Sequence, residues 1–356
     1  MDNMENLDAL VTENPDAFET ENPTQTAEQV DCKPVKKAFS GIGWALCAII
    51  AATFAVQFVL QLVIQAFWPD GCWLTESSTG MWLLTFVPMY LIAFPAGLLV
   101  MKHIPAEAPT ACKMTAKEFW TYLPICFFLT YCGSILGNVL STVLSGGEAQ
   151  NALNEYAMDT NPLKILFMVV LAPLLEELIF RKLLIDRTRV YGEKAAVFLS
   201  ALTFALFHTN LFQFFYAFLV GWLFAYIYVR TGKLRYCAIM HGIVNFVGSV
   251  IAPLVLSSMD MDALSQLDPN LPEEELLKVY SQILPGLLLY YLFSMALLAV
   301  WIIGLVFFLQ QRKKLRWEPA KIQLPAQRGI AAAYLNGGMI VFILLSLTLT
   351  AASLFS

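Results

Sequence analysis

From residue 39 onward the chain alternates between long apolar runs and short polar breaks. The runs cover approximately 39–67, 80–101, 117–144, 162–184, 194–211, 212–229, 237–257, 283–310 and 331–355. An α-helix needs about 20 predominantly apolar residues to cross roughly 30 Å of hydrocarbon. The pattern therefore predicts an all-α transmembrane bundle of about nine spans. The break between the fifth and sixth runs is weak, resting on Thr209 and Asn210. Residues 1–37 differ: nine acidic residues between Asp2 and Asp31, few large apolar ones, and Lys33, Lys36 and Lys37 at the end. That composition predicts a disordered acidic tail, not a cleavable signal peptide, which opens on a basic region and a short apolar core. In the loop 258–282, Pro272 followed by three glutamates and then Leu276, Leu277 and Tyr280 predicts a short interfacial helix.

Composition and charge sharpen this reading. Hydrophobic residues make up 58% of the 356 and charged residues 14%, whereas a soluble domain carries about 25% charged residues to cover its surface. The expectation is a multi-pass protein of the cell membrane, with the lipid bilayer as its solvent. A net charge of −5, unevenly spread, gives no footprint for nucleic acid. Seven cysteines without a CxxC pair indicate neither a disulfide framework nor a zinc knuckle. Twenty of the 22 Lys and Arg residues fall in alternate loops: Lys33–Lys37, Lys102–Lys117, Arg181–Lys194, Arg230–Arg235 and Arg312–Arg328. Basic residues favour the cytoplasmic side, so a cytoplasmic amino terminus and an external carboxyl terminus are predicted. No internal repeat is visible.

Charged groups inside an apolar run are costly and mark candidate sites. Glu176 and Glu177 follow the run LFMVVLAPLL, and Arg181 lies four residues beyond Glu177. Positions i and i+4 share a helix face, whereas adjacent residues diverge by about 100°. Glu177 can therefore pair with Arg181, while Glu176 must point elsewhere. A Glu–Arg pair of this kind also serves simply to stitch helices together. His208 closes FALFH, one turn beyond Phe204; His241 opens HGIVN, one turn before Asn245. His103, in a basic loop, carries no predicted role. Glu176 lies 16 residues before Gly192 and His208 16 after it, so a helical hairpin turning at Gly192 puts both at one depth. His241, about six residues past Arg235, starts from the same side.

A carboxylate in a low-dielectric cavity can accept a proton from water, and a neighbouring histidine can hold that water. A second histidine and an asparagine amide could donate to a developing oxyanion. Glu176, His208, His241 and Asn245 would thus suffice for amide hydrolysis without a serine or cysteine nucleophile. Glu176, His208 and His241 could instead bind Zn²⁺ as a two-histidine, one-carboxylate site. There is no HExxH, and one ligand per helix is a loose zinc signature, so the expectation is no cofactor, with zinc as the open alternative.

EELIFR (176–181), FALFH (204–208) and HGIVN (241–245) resemble the EExxxR, FxxxH and HxxxN motifs of the CAAX-protease and bacteriocin-processing family, the type II CAAX prenyl endopeptidase (Abi) family of intramembrane proteases. The resemblance covers about 160–250 and extends towards 310. It divides the chain into the tail 1–37, amino-terminal helices 38–160, a CAAX-protease-like core 161–310, and a basic loop with the last helix, 311–356. It implies an endopeptidase whose peptide or protein substrate, membrane-associated or lipidated, arrives from the membrane or cytosol. By motif position it implies Glu176 as the water-activating glutamate, His208 as its partner, His241 and Asn245 as oxyanion stabilisers, and Glu177, Arg181 and Phe204 in support. The rival readings are a proton-coupled transporter, a membrane scaffold or a bacteriocin-immunity protein. An odd helix count without repeated halves argues against the transporter.

Overall fold

The computed structural model describes residues 32–151, 153–268 and 270–355. All regular structure among them is helical. The long elements are α1 (Cys32–Phe67), α2 (Ser78–Met101), α3 (Ala116–Leu144), α4 (165–188), α5 (Glu193–Phe207), α6 (Leu211–Thr231), α7 (Leu234–Ser257), α8 (Glu273–Gln311), α9 (Ala326–Tyr334) and α10 (Gly337–Ala352). Each apolar run thus corresponds to a helix or a bent helix pair.

The expectation of about nine spans is not confirmed by length and composition. Six described helices are long and apolar enough to cross a membrane, and the pair α9 and α10, bent by 64°, would make a seventh. The two runs that fall short are those bearing the acids and His208. α4 carries six charged residues between Glu176 and Arg187, and α5 has only 15 residues, about 22 Å at 1.5 Å per residue. Two boundaries also differ from expectation. Helix α1 already begins at Cys32, so Lys33, Lys36 and Lys37 lie on its first turns; the rest of the acidic tail lies outside the described residues. The Pro272 start signal is real, but the 39-residue helix it opens runs unbroken into the eighth apolar segment. Pro285 falls within it without ending it.

Local signals explain other ends. Thr115 and Glu118 form a reciprocal capping box at the start of α3. The weak break at 209–210 is a true one: Thr209 adopts φ +47°, and the Asn210 side chain caps α6 by accepting from the Phe212 N–H at 2.8 Å.

Prolines shape three of the helices. Phe94, Ala172 and Ala252, immediately before Pro95, Pro173 and Pro253, each bond to the carbonyl five residues back, closing a wide π turn. Proline lacks an N–H and clashes with the preceding turn, so the helix widens rather than breaks. A fourth π turn, Leu178–Leu183, contains no proline and holds Arg181.

Helix α6 lies at the centre, packed on α3, α5 and α7, with 61% of its most apolar stretch buried against 6% for the peripheral α8. Helices α1, α2 and α10 form the opposite flank. The basic loops meet at one end. The Glu107 N–H donates to the Asp186 carbonyl, Cys112 to Thr231, and Ile322 to Val190. Arg189 bridges Glu107 and Glu318, Arg230 pairs with Glu193, and Lys321 with Glu107. At the other end Asp159 accepts from the Ser78 hydroxyl and the Trp82 indole at 2.6 and 2.7 Å.

Candidate active site

The hairpin of α4 and α5 turns at Gly192, where φ is +126°, a backbone conformation open to glycine and strained for other residues. It returns α5 along α4 and brings Ser200 and Phe204 against the fourth π turn. Arg181 is wholly buried there. Its Nε donates to Glu177 Oε2 at 2.8 Å, Nη2 to Glu177 Oε1 at 3.3 Å, and Nη1 to the Ser200 hydroxyl at 2.9 Å. The Ser200 hydroxyl in turn donates to the Phe180 carbonyl at 2.8 Å. The guanidinium also lies 4.6 Å over the Phe204 ring, a favourable cation–π position.

The pairing of Glu177 with Arg181 is the one predicted from helix periodicity. Tertiary packing adds a third ligand to the carboxylate: His241 Nδ1 lies 3.0 Å from Glu177 Oε1. A carboxylate beside Arg181 accepts, so Nδ1 carries the hydrogen, and Nε2 is the free edge of the ring. That edge faces Glu176 Oε2 at 3.8 Å, too far for a direct hydrogen bond and near enough for a bridging group. The two adjacent glutamates are thus separated in kind. Glu177 is fully sequestered, whereas the Glu176 side chain keeps 20% of its surface exposed.

His208 lies one turn from Phe204, and its Nδ1 donates to the Phe204 carbonyl at 2.8 Å. A carbonyl can only accept, so this histidine too presents Nε2. The Phe204 ring meets His208 edge-on at 4.7 Å and His241 at 6.0 Å. It thereby stands between both imidazoles and the guanidinium. His208 makes no hydrogen bond or ion pair to Glu176 among the described residues, though it lies within that carboxylate's electrostatic reach.

Asn245 lies one turn along α7 from His241. Its amide donates to the Met168 carbonyl at 2.9 Å. In the π turn Ala172 bonds to Phe167; the next donor in that register would be residue 173, which is proline. Met168 is therefore left without a helical partner, and Asn245 supplies one. The contact requires α7 to lie close on α4. A Cβ on Gly242 would come within 3.0 Å of the Val169 carbonyl oxygen, so the glycine following His241 permits the approach.

Several neighbours were not singled out by sequence. Tyr90 and Tyr216 lie within the electrostatic reach of Glu176; Tyr90 donates to the Phe167 carbonyl and Tyr216 accepts from Gln213. Phe224 stacks on His241 at 5.5 Å. Tyrosines and phenylalanines are so abundant in this chain that only their placement distinguishes these. Among the described residues, no group of three or more His, Cys, Asp and Glu side chains is arranged to hold a metal ion, Glu176, His208 and His241 included. All seven cysteines are free thiols.

The structure is thus an all-helical bundle with a buried Glu177–Arg181–His241 cluster beside a partly exposed Glu176. Residues 159–247 match the family described as Type II CAAX prenyl endopeptidase Rce1-like. The chain is also 25% identical over 223 residues to the membrane-embedded CAAX protease MroQ of Staphylococcus aureus (strain USA300), covering 57% of this chain and 86% of that protein. These matches fall on the stretch that carries the three motifs; the chain is similar there to the CAAX-protease and bacteriocin-processing family, a similarity that supports intramembrane endopeptidase activity. No solved structure matches the chain.

Proposed function

We propose that this protein hydrolyses a peptide bond of a membrane-associated or lipidated peptide, with water activated by Glu176 and no resident metal. The observation that carries the reading is the division of labour between the paired glutamates. Glu177 is saturated by Arg181 and His241, while Glu176 is partly exposed and keeps its lone pairs for a water. In this mechanism Glu176 takes a proton as the water oxygen attacks the scissile carbonyl carbon, and His208 Nε2 holds the water in place. The oxyanion that forms accepts from Nε2–H of His241, a step that requires the ring to carry a hydrogen on both nitrogens, its Nδ1–H being held by Glu177. Collapse of the tetrahedral intermediate breaks the C–N bond, and the proton held by Glu176 passes to the leaving amine. Asn245 holds α7 in register, since one of its amide hydrogens serves Met168.

The test uses the purified full chain and a peptide library. Glu176→Gln nearly preserves volume and removes the base, so turnover should fall by orders of magnitude with the thermal midpoint unchanged. Turnover of the wild type should resist chelation. Activity in Glu176→Gln close to wild type would refute the base assignment. Chelator-sensitive turnover restored by zinc would replace the metal-free mechanism while leaving proteolysis standing.

A further inference from the structure

Between α3, α5, α6 and α8 lies a cavity of about 370 Å³, lined by Ile125, Leu129, Phe198, Leu219, Phe308 and Leu315 among others, with Gln311 and Arg312 at one end. Its volume falls in the range of small-molecule sites, about 300–1,000 Å³. Its wall is apolar, and its polar end coincides with the end of α8 where the basic loops gather.

The chain at that end reads Arg312, Lys313, Lys314, Leu315, Arg316. All four cations are exposed. On the same face Arg189, Arg230 and Lys321 each pair with a carboxylate, yet among the described residues no ion pair involves these four. Leu315, in their midst, points instead into the cavity wall. Beside the cavity Trp317 packs edge-on against Trp222 and Tyr226, with centroids 6.1 and 5.3 Å apart. The Arg316 N–H donates to the Tyr226 hydroxyl at 3.3 Å, which fixes the basic segment over the opening. Tryptophan and tyrosine at this level are those that favour the membrane–water interface. Basic clusters at the end of a transmembrane helix, next to a pocket between helices, suit anionic lipid headgroups.

We infer that this cavity is a binding site for an anionic phospholipid of the leaflet on the basic side, its acyl chain lying between α3, α6 and α8 and its phosphate against Arg312, Lys313, Lys314 and Arg316. Charge complementarity selects the occupant. A larger cleft of about 900 Å³, bordered by Tyr131, Tyr290 and Trp301, has no Lys or Arg in its lining and offers no such selection.

The experiment places the full chain in phosphatidylcholine vesicles carrying a trace of phosphatidylglycerol or phosphatidylcholine with a photoactivatable acyl chain, and maps the cross-linked residues. Phosphatidylglycerol should label the walls around Leu219 and Phe308. Each cation near an anionic headgroup is worth roughly fivefold in affinity, so joint substitution Arg312→Gln, Lys313→Gln, Lys314→Gln and Arg316→Gln should cut that labelling at least about tenfold. Labelling by phosphatidylcholine should not change. These four positions are exposed, so the variant should fold; Leu219→Trp, which fills the cavity, should block labelling by either lipid there. Equal labelling of the wild type by both lipids would overturn the proposal, as would labelling indifferent to the four substitutions. Displacement of the lipid by an isoprenylated peptide would assign the cavity to substrate and equally overturn it.

Discussion

Replacing Glu177 with glutamine probes the centre of the cluster. The carboxylate receives three contacts: Arg181 Nε at 2.8 Å, Arg181 Nη2 at 3.3 Å and His241 Nδ1 at 3.0 Å. All are donors. A glutamine offers one acceptor oxygen and one NH₂, so either orientation sets a donor against a donor. If the amide nitrogen faces Arg181, the guanidinium keeps only Ser200 and the Phe204 ring. If it faces His241, the imidazole must give up its Nδ1 hydrogen and can no longer carry one on both nitrogens. In both cases Arg181, wholly buried, loses its counter-charge. Removing one partner of a buried pair costs roughly 3–5 kcal/mol, which at about 2–4 °C per kcal/mol is a fall in thermal midpoint on the order of 10 °C. Replacing both members, Glu177→Met with Arg181→Met, leaves no stranded charge and should recover most of that loss. It should not recover turnover, because His241 remains without its orienting carboxylate. The assay is the thermal midpoint of purified protein in detergent beside single-turnover cleavage. An unchanged midpoint in Glu177→Gln, or a double variant as unstable as the single, would refute the buried-pair account. Full activity in the double variant would refute the role of Glu177 in fixing His241.

Three further outcomes follow from the same geometry. Asn245→Ala strands the Met168 carbonyl, so it should cost about 1–3 kcal/mol of stability; a midpoint equal to wild type with turnover lost would mean that the amide serves only the reaction. Gly242→Ala places a Cβ 3.0 Å from the Val169 oxygen, and crowding of about 1–3 kcal/mol should outweigh the gain of about 1 kcal/mol from helix propensity. A higher midpoint with full activity would show the close approach to be dispensable. At the far end of the bundle, burial raises the Asp159 carboxyl, but bonds from Ser78, the Asn161 N–H and Trp82, with Lys164 nearby, outweigh it and hold the group below its usual range. A depressed carboxyl stabilises the fold above its ordinary value, about 3.9, and that contribution is lost as pH falls through the lower folded value. The midpoints of wild type and Asp159→Asn should therefore converge in acid, and parallel curves would contradict this.

What the sequence settled by itself is what short-range geometry and burial dictate. Apolar runs of spanning length have to become helices wherever backbone groups leave water, and each run did so. The Glu177–Arg181 pair follows from the rise and turn of one helix, and the turn at Gly192 from the charged break between two. The basic loops were legible from charge alternation, and they meet at one end of the bundle. Tertiary structure decided how those helices are cut and rotated. The count of about nine spans is not confirmed, because the charges on α4, already visible in the sequence, and the 15-residue length of α5, which the fold decides, keep both from meeting the length and composition of a span. That Glu177 also grips His241, and that Asn245 serves Met168, depends on the rotation and closeness of α7 against α4. Those are set by the π turn before Pro173 and the missing side chain at Gly242. A hydrogen-bond partner within four residues is fixed by the local backbone; one 64 or 77 residues away is fixed only when neighbouring helices choose their faces, since a helix rotated by one residue turns every side chain by about 100°.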